Sequence, residues 1–369
     1  MSDGQGGSGG EARSAPAPRE KRGSGGEARS APAPREKREP VVDMHNHFIP
    51  EEFARRAGDE AAWGAHIEQR NGSPWVVHDQ GFAYPLFEEF LGGDAKLADM
   101  DARGIDVSLM SLSPTLFLYW IEAADGRSFA RFANDSLAEV ARSSNGRIEG
   151  VASLPMQDPG AAAEELRRAV GDLGLHGAQI GTSVEGKHLD AEDFTPLWEA
   201  ADALGAVLIL HPYYVGPLPG LEDYYLTNSF GNPQDTALAA SRLIHSGLFD
   251  RWPRVRIVLV HAGGFLPYQM GRFDHAWRVR PEPKERLDRP PSEYLDHFWF
   301  DTITHSDNAL TWLVDFAGDD RVMLGTDLPY DMGDADPVGR VDRSVGSDEI
   351  RVRVSGRNAA RLFGLKEAP

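Results

Sequence analysis

Residues 41–50 read VVDMHNHFIP, an apolar run in which His45 and His47 stand two residues apart behind Asp43. In a β-strand alternate side chains project to the same side, so the two imidazoles would point together. Two imidazoles side by side at a strand end supply half of a metal site. With 12 histidines in 369 residues an H-x-H pair can also arise by chance, so the rest of the chain has to decide.

Outward from this run, short β-rich stretches recur: VSLMSLSP (107–114), IEGVASLP (148–155), GAQIG (177–181), AVLILHP (206–212), VRIVLVHAGG (255–264), FWFDTITH (298–305) and RVMLGTDLP (321–329). Together with 41–47 they make eight strands. Amphipathic helical patterns such as DPGAAAEELRRAVGDLG and FTPLWEAADALG lie between most of them. Near-continuous apolar strands alternating with helices indicate a buried parallel sheet, and eight such units predict a (β/α)8 barrel. The main departure is residues 48–100, which contain WVVHD and FAYPLFEEF and are expected to form a small cap insertion over the barrel mouth.

In such a barrel the C-terminal ends of the strands build the active site. Those ends are chemically loaded here: His45 and His47 on strand one, His211 on strand five, His261 on strand six, His305 on strand seven and Asp327 on strand eight. One architecture would bring these six groups together, which predicts a shared metal site. The remaining histidines, at 66, 78, 176, 188, 245, 275 and 297, fall in the excursion, in loops or on helices and read as structural or solvated. His305 lies between the two classes.

Composition narrows the function. The net charge is −19, and beyond residue 40 it is −21, from 30 basic and 51 acidic side chains. So acidic a body argues against nucleic acid or an anionic membrane as partner, but not against a small anionic substrate. The absence of Cys excludes disulfides, thiolate nucleophiles and Cys-based zinc sites. There is no apolar run of membrane-spanning length and no hydrophobic signal core, so a cytoplasmic location is expected. Residues 7–22, GSGGEARSAPAPREKR, are repeated without change at 23–38, so residues 1–40 read as a disordered tail carrying a tandem 16-residue repeat. Residues 41–369 are then the barrel.

The motifs DMHNH, LILHP, LVHAGGFLPYQMGRFDH and LGTDLPYDMG, in this order and spacing, resemble the amidohydrolase superfamily. Within it they are most similar to the branch of aminocarboxymuconate-semialdehyde decarboxylase and related non-oxidative decarboxylases. The resemblance runs from about Val41 to Leu365 and includes SLPMQDP, GAQIGT and NAARLFGL. It implies that His45, His47, His211 and Asp327 hold one divalent metal, with His261 beside a metal-bound water as acid–base catalyst and Asp327 sharing in proton movement. Two-metal members carry a carbamylated Lys at the end of strand four. Here Gln179 and its neighbours offer no Lys, so a mononuclear site is expected. Ligand preference favours zinc, with manganese, cobalt or iron also compatible.

The resemblance further implies a homodimer in which Arg272 reaches the neighbouring subunit's site and binds a substrate carboxylate. At two positions the chain departs from the branch: Tyr84 stands where a substrate-binding Arg is expected, and Asn228 where a Trp is expected. These changes point to a small carboxylic acid other than the muconate semialdehyde, a hydroxylated aromatic or less charged conjugated acid, contacted by Tyr84 and Tyr330. The expected function is therefore metal-dependent decarboxylation. A mononuclear hydrolase of an amide or lactone is the alternative, and a metal-holding, non-catalytic binding module a weaker one.

Overall fold

The computed structural model describes residues 39–59, 63–213 and 219–365. The duplicated segments of the expected tail lie outside the described residues. Eight parallel strands follow one another in chain order: Val42–Phe48 (β1), Val107–Leu112 (β2), Ile148–Ser153 (β3), Ala178–Gly181 (β4), Val207–His211 (β5), Arg256–Leu259 (β6), Phe298–Asp301 (β7) and Val322–Met323 (β8). The last closes on the first. Met44 N–H donates to Leu324 O at 3.0 Å and His47 N–H to Leu328 O at 2.9 Å, with Asn46 bridging Leu328 in parallel. Closure leaves no open edge, and the fold is the (β/α)8 barrel that the strand count predicts.

Two apolar layers hold it together. One lies inside the barrel, where Val42, Met44, Leu109, Ile209, Val258 and Met323 meet, and the C-terminal helix Asn358–Phe363 covers it through Ala359, Leu362 and Phe363. The larger lies between strands and surrounding helices, with Trp198, Phe249, Phe298 and Phe300 fully buried. Register in β1 shifts between Asp43 and Asn46, a bulge that adds one residue to the strand. It resets the alternation, so that Val42 and Met44 belong to the inner apolar layer and His45 and His47 sit together beyond it.

The excursion after β1 folds as a helix, Glu51–Asp59, and a three-stranded antiparallel sheet of Ala65–Arg70, Ser73–His78 and Ala83–Pro85. Its core, with Phe53, Val76, Tyr84 and Phe90, packs on Leu112 at the end of β2 and on Leu116 and Leu118 beyond it. The helix Gly93–Arg103 then leads into β2.

Strand seven is shorter than its apolar pattern. It ends at Asp301, whose Oδ1 accepts from Ile303 N–H at 3.1 Å and turns the chain. Ser306 then caps the helix Asp307–Ala317, so His305 lies on the connection and is exposed, not at a strand end.

Close packing between strands has a test at Gly177, which has φ 136° just before β4. A Cβ there would stand 2.2 Å from Val207 O on the neighbouring strand, which is backbone and cannot yield. Gly177→Ala should lower the unfolding free energy by about 2–5 kcal/mol in urea denaturation. A loss below about 0.5 kcal/mol, the range of ordinary surface changes, would contradict this packing.

Candidate metal centre

His45 and His47 reach the mouth from β1, His211 from the end of β5, and Asp327 from the turn after β8. All four are buried, and one ligand atom from each lies within 4.8 Å of the others. Asp327 is the hub: its Oδ1 lies 2.7 Å from His47 Nε2, 3.4 Å from His45 Nε2 and 3.9 Å from His211 Nε2. His261 Nε2 is 3.5 Å from the other oxygen, Oδ2. The backbone is bent to achieve this. Asp327, His261 and Ala262 have φ of 59°, 52° and 56°, a region that residues with side chains rarely adopt.

The donor set suits a divalent cation. His45 donates Nδ1–H to Asp301 Oδ2 at 2.7 Å, and His211 donates Nδ1–H to Pro212 O at 2.6 Å. Each therefore keeps its Nε2 lone pair, and both Nε2 atoms are buried without a partner. A buried nitrogen without a partner is costly unless something occupies it. Electrostatics agree. Burial pushes His211 down to about 3 and His47 down to about 4, against the pull of Asp327 on both, so their neutral, ligating forms are favoured. Burial also opposes charge on His45, but Asp301, Asp327 and Asp43 outweigh it and raise its pKa. The carboxylates that draw a proton to His45 would equally draw a metal cation to the gap.

Two acids that the strand-end reading passed over support this set. Asp301 holds His45 and also accepts from His261 N–H at 2.9 Å and Ala262 N–H at 2.7 Å. The signal in the sequence was a lone Asp inside the apolar run FWFD. Gly325 makes room for the pair, since a Cβ there would lie 2.9 Å from His45 Cβ and 3.1 Å from Asp301 Cβ. Asp43 accepts from Thr326 Oγ1–H at 2.8 Å and His45 N–H at 3.2 Å, tying β1 to the turn that carries Asp327. Burial pushes Asp43 up to about 6 even though buried Lys96 pulls the other way.

A cleft of about 420 Å³ opens at this mouth, lined by His261, Asp327, Asn228, Phe265, His305 and Trp312 among others. Asn228 thus stands in the cleft. Tyr330 lays its ring edge-on to His47, centroids 5.1 Å apart, and its hydroxyl bonds with Ser113 Oγ at 2.5 Å. Tyr84 packs behind Tyr330 and is 7% exposed, with its hydroxyl buried and unpartnered. Arg272 is exposed on the helix Leu266–Val279, is not among the residues that line the cleft, and makes no ion pair with a described residue. Gln179 is fully buried, accepting from Ser111 Oγ–H at 2.8 Å and donating to Leu112 O at 2.9 Å. Of the other histidines, His176, His245 and His297 bond to backbone carbonyls, and His66 and His275 are exposed. His78 differs, being buried in the cap with both ring nitrogens unpartnered.

Known proteins share this arrangement of chain. The sequence is 30% identical over 329 residues to a 2-amino-3-carboxymuconate-6-semialdehyde decarboxylase of Dictyostelium discoideum, covering 88% of this chain and 91% of that one. It is 36% identical over 293 residues to a gamma-resorcylate decarboxylase of a Rhizobium species, covering 74% and 88%. A dihydroxybenzoic acid decarboxylase of a Polaromonas species, solved with manganese and the inhibitor 2-nitroresorcinol, superposes with a TM-score of 0.73 at 29% identity, covering 89% of this chain and 98% of that one. A family model described as amidohydrolase matches residues 42–365. A match that begins with β1 and ends just past the last helix makes the chain a member of the amidohydrolase family.

Proposed function

We propose that this protein is a metal-dependent, non-oxidative decarboxylase of a conjugated or hydroxylated aromatic carboxylic acid, acting in the cytoplasm. The observation that carries the reading is His261 set against Asp327, beside a buried set of His45, His47 and His211 and at the wall of an open cleft. That the relatives described above are decarboxylases supports the same reaction here. His45, His47, His211 and Asp327 would hold one ion, zinc by preference and manganese, cobalt or iron as alternatives. When bound, the ion supplies a Lewis acid for substrate oxygens and lowers the pKa of its water. His261 or Asp327 delivers a proton to the carbon that bears the carboxylate. The bond from that carbon to the carboxylate then breaks, its electron pair restores the conjugation, and carbon dioxide leaves. Gln179, with its amide tied to Ser111 and Leu112, supports a mononuclear centre.

The cleft favours one class of acid. None of the described residues lining it is Lys or Arg. A second carboxylate on the substrate would be buried without a cation from this chain, at a cost of about 3–5 kcal/mol. A ring hydroxyl, by contrast, finds Asn228 in the cleft, and Tyr330 stands beside His47 with Tyr84 packed behind it. The exposed guanidinium of Arg272, which makes no ion pair with a described residue, suits a homodimer in which it reaches the neighbouring subunit's site and pairs with the substrate carboxylate.

Metal analysis should find one divalent ion per chain, and chelation should abolish carbon dioxide release. His211→Ala should empty the site, whereas His261→Ala should keep the metal and lose about 10²–10⁴-fold in kcat. Two ions per chain, or metal loss from His261→Ala, would reassign these roles.

For the dimer, inactive Arg272→Ala and inactive His261→Ala proteins, once mixed and allowed to exchange subunits, should regain roughly a quarter of the parent activity, since heterodimers carry one intact shared site. An Arg272→Ala protein with full activity, or a fully active monomer in sedimentation, refutes the shared site.

For the substrate, kcat/KM across a panel of hydroxybenzoates, amides, lactones and aminocarboxymuconate semialdehyde should peak at a hydroxybenzoate. Efficient turnover of the semialdehyde would overturn the roles given to Tyr84 and Asn228, and turnover of a lactone or amide alone would favour a hydrolase.

A further inference from the structure

Asp301 is the last residue of β7 and has no exposed surface. A buried carboxylate is tolerated only when donors surround it. Here each oxygen receives two. Oδ2 accepts from His45 Nδ1–H at 2.7 Å and His261 N–H at 2.9 Å. Oδ1 accepts from Ala262 N–H at 2.7 Å and Ile303 N–H at 3.1 Å. Every acceptor position of the group is in use.

Two of those donors belong to residues in the left-handed region, His261 at φ 52° and Ala262 at φ 56°. Neither is a glycine, so the conformation is unfavourable by itself and persists where the surroundings enforce it. The turn continues through Gly263 and Gly264 and rests on β7, where a Cβ at Gly263 would lie 2.7 Å from the Phe300 ring. It is this turn that brings His261 Nε2 to 3.5 Å from Asp327 Oδ2.

We propose that Asp301 is the positioning residue of this site: one carboxylate sets the tautomer of His45 and clamps the backbone turn that presents His261. The inference rests on the decarboxylase reading for its kinetic consequences, but not for its structural ones. On the metal side, a proton kept on His45 Nδ1 leaves the Nε2 lone pair free to ligate, and that nitrogen is the buried, unpartnered one. On the proton-transfer side, the two backbone N–H bonds hold His261 in a turn that it would otherwise leave. A neutral isostere cannot serve both. The amide of Asn has one acceptor oxygen, so in either orientation its NH2 faces donors on the opposite side.

Asp301→Asn tests this in the full chain. Metal affinity, read by competition with a chromogenic chelator, should fall about 10–100-fold. At saturating metal, kcat should fall on the order of 10²-fold or more while KM moves less than about threefold, the split expected of a misplaced proton-transfer group. Asp301→Glu, which keeps the charge, should recover part of the metal affinity. A metal-saturated Asp301→Asn protein with the parent's affinity and kcat would overturn the proposal. Should the parent prove not to be a decarboxylase, the affinity readout still decides the claim about His45. Should neither variant fold, ¹⁵N imidazole spectra of the zinc-loaded parent decide it: a proton on His45 Nδ1 supports the proposal, and a proton on Nε2 overturns it.

Discussion

The carbonyl oxygen of His45 accepts two backbone hydrogen bonds, from Thr326 N–H at 3.0 Å and Asp327 N–H at 2.8 Å, and the site depends on that seam. It closes the barrel by joining β1 to the turn after β8, residues more than 280 apart in the chain. The same seam puts the Asp327 carboxylate against both imidazoles of the H-x-H pair. Closure of the fold and assembly of the ligand set are therefore one event. A change that opened the β1–β8 contact would scatter the ligands before it exposed much of the core. Asp43 and Thr326 reinforce the seam through side chains, which explains a carboxylate buried below the mouth and turned away from the cleft.

Charge explains why the assembled groups stay together. Three carboxylates, Asp43, Asp301 and Asp327, gather around the imidazoles. Burial drives His47 and His211 towards neutrality while the acids draw positive charge to His45. Asp327 is held well below the usual carboxylate range, because hydrogen bonds and charge from His211, His261, His47 and His45 outweigh its burial. Such a site has a deficit of positive charge and nitrogen lone pairs with nothing to bind. A divalent cation answers both, and this fit comes from the donor atoms themselves, independently of any relative.

Much of this was legible in the sequence because the barrel places strand ends at one mouth. Once eight strands were counted, His45, His47, His211 and Asp327 were bound to meet, and they do. Three features were not legible. The bulge in β1 is a register fact, invisible in a run that alternates smoothly on paper. Asp301 was passed over because FWFDTITH reads as one strand up to His305, whereas the Asp301 carboxylate itself ends the strand by accepting Ile303 N–H. The packing of Tyr84 in the cap core, with its ring against Tyr330 and its hydroxyl buried, depends on how the cap folds. In each case a tertiary contact, and not local propensity, set the outcome.

The acidity of the body raises the question of how an anionic substrate would be drawn in. At −21 beyond residue 40, the long-range field repels anions, and the described cleft wall adds no Lys or Arg. Recognition then has to be short-range and supplied by few groups. In the proposed decarboxylase a bound cation would offset the Asp327 charge, the aromatic walls of Phe265 and Trp312 would favour a ring, and the neutral amide of Asn228 would tolerate a hydroxyl. Arg272 is exposed farther along the helix Leu266–Val279, whose first turn supplies Pro267 and Tyr268 to the cleft wall. On this reading the field excludes anions in general, and the assembled mouth admits the one whose ring and hydroxyls match it.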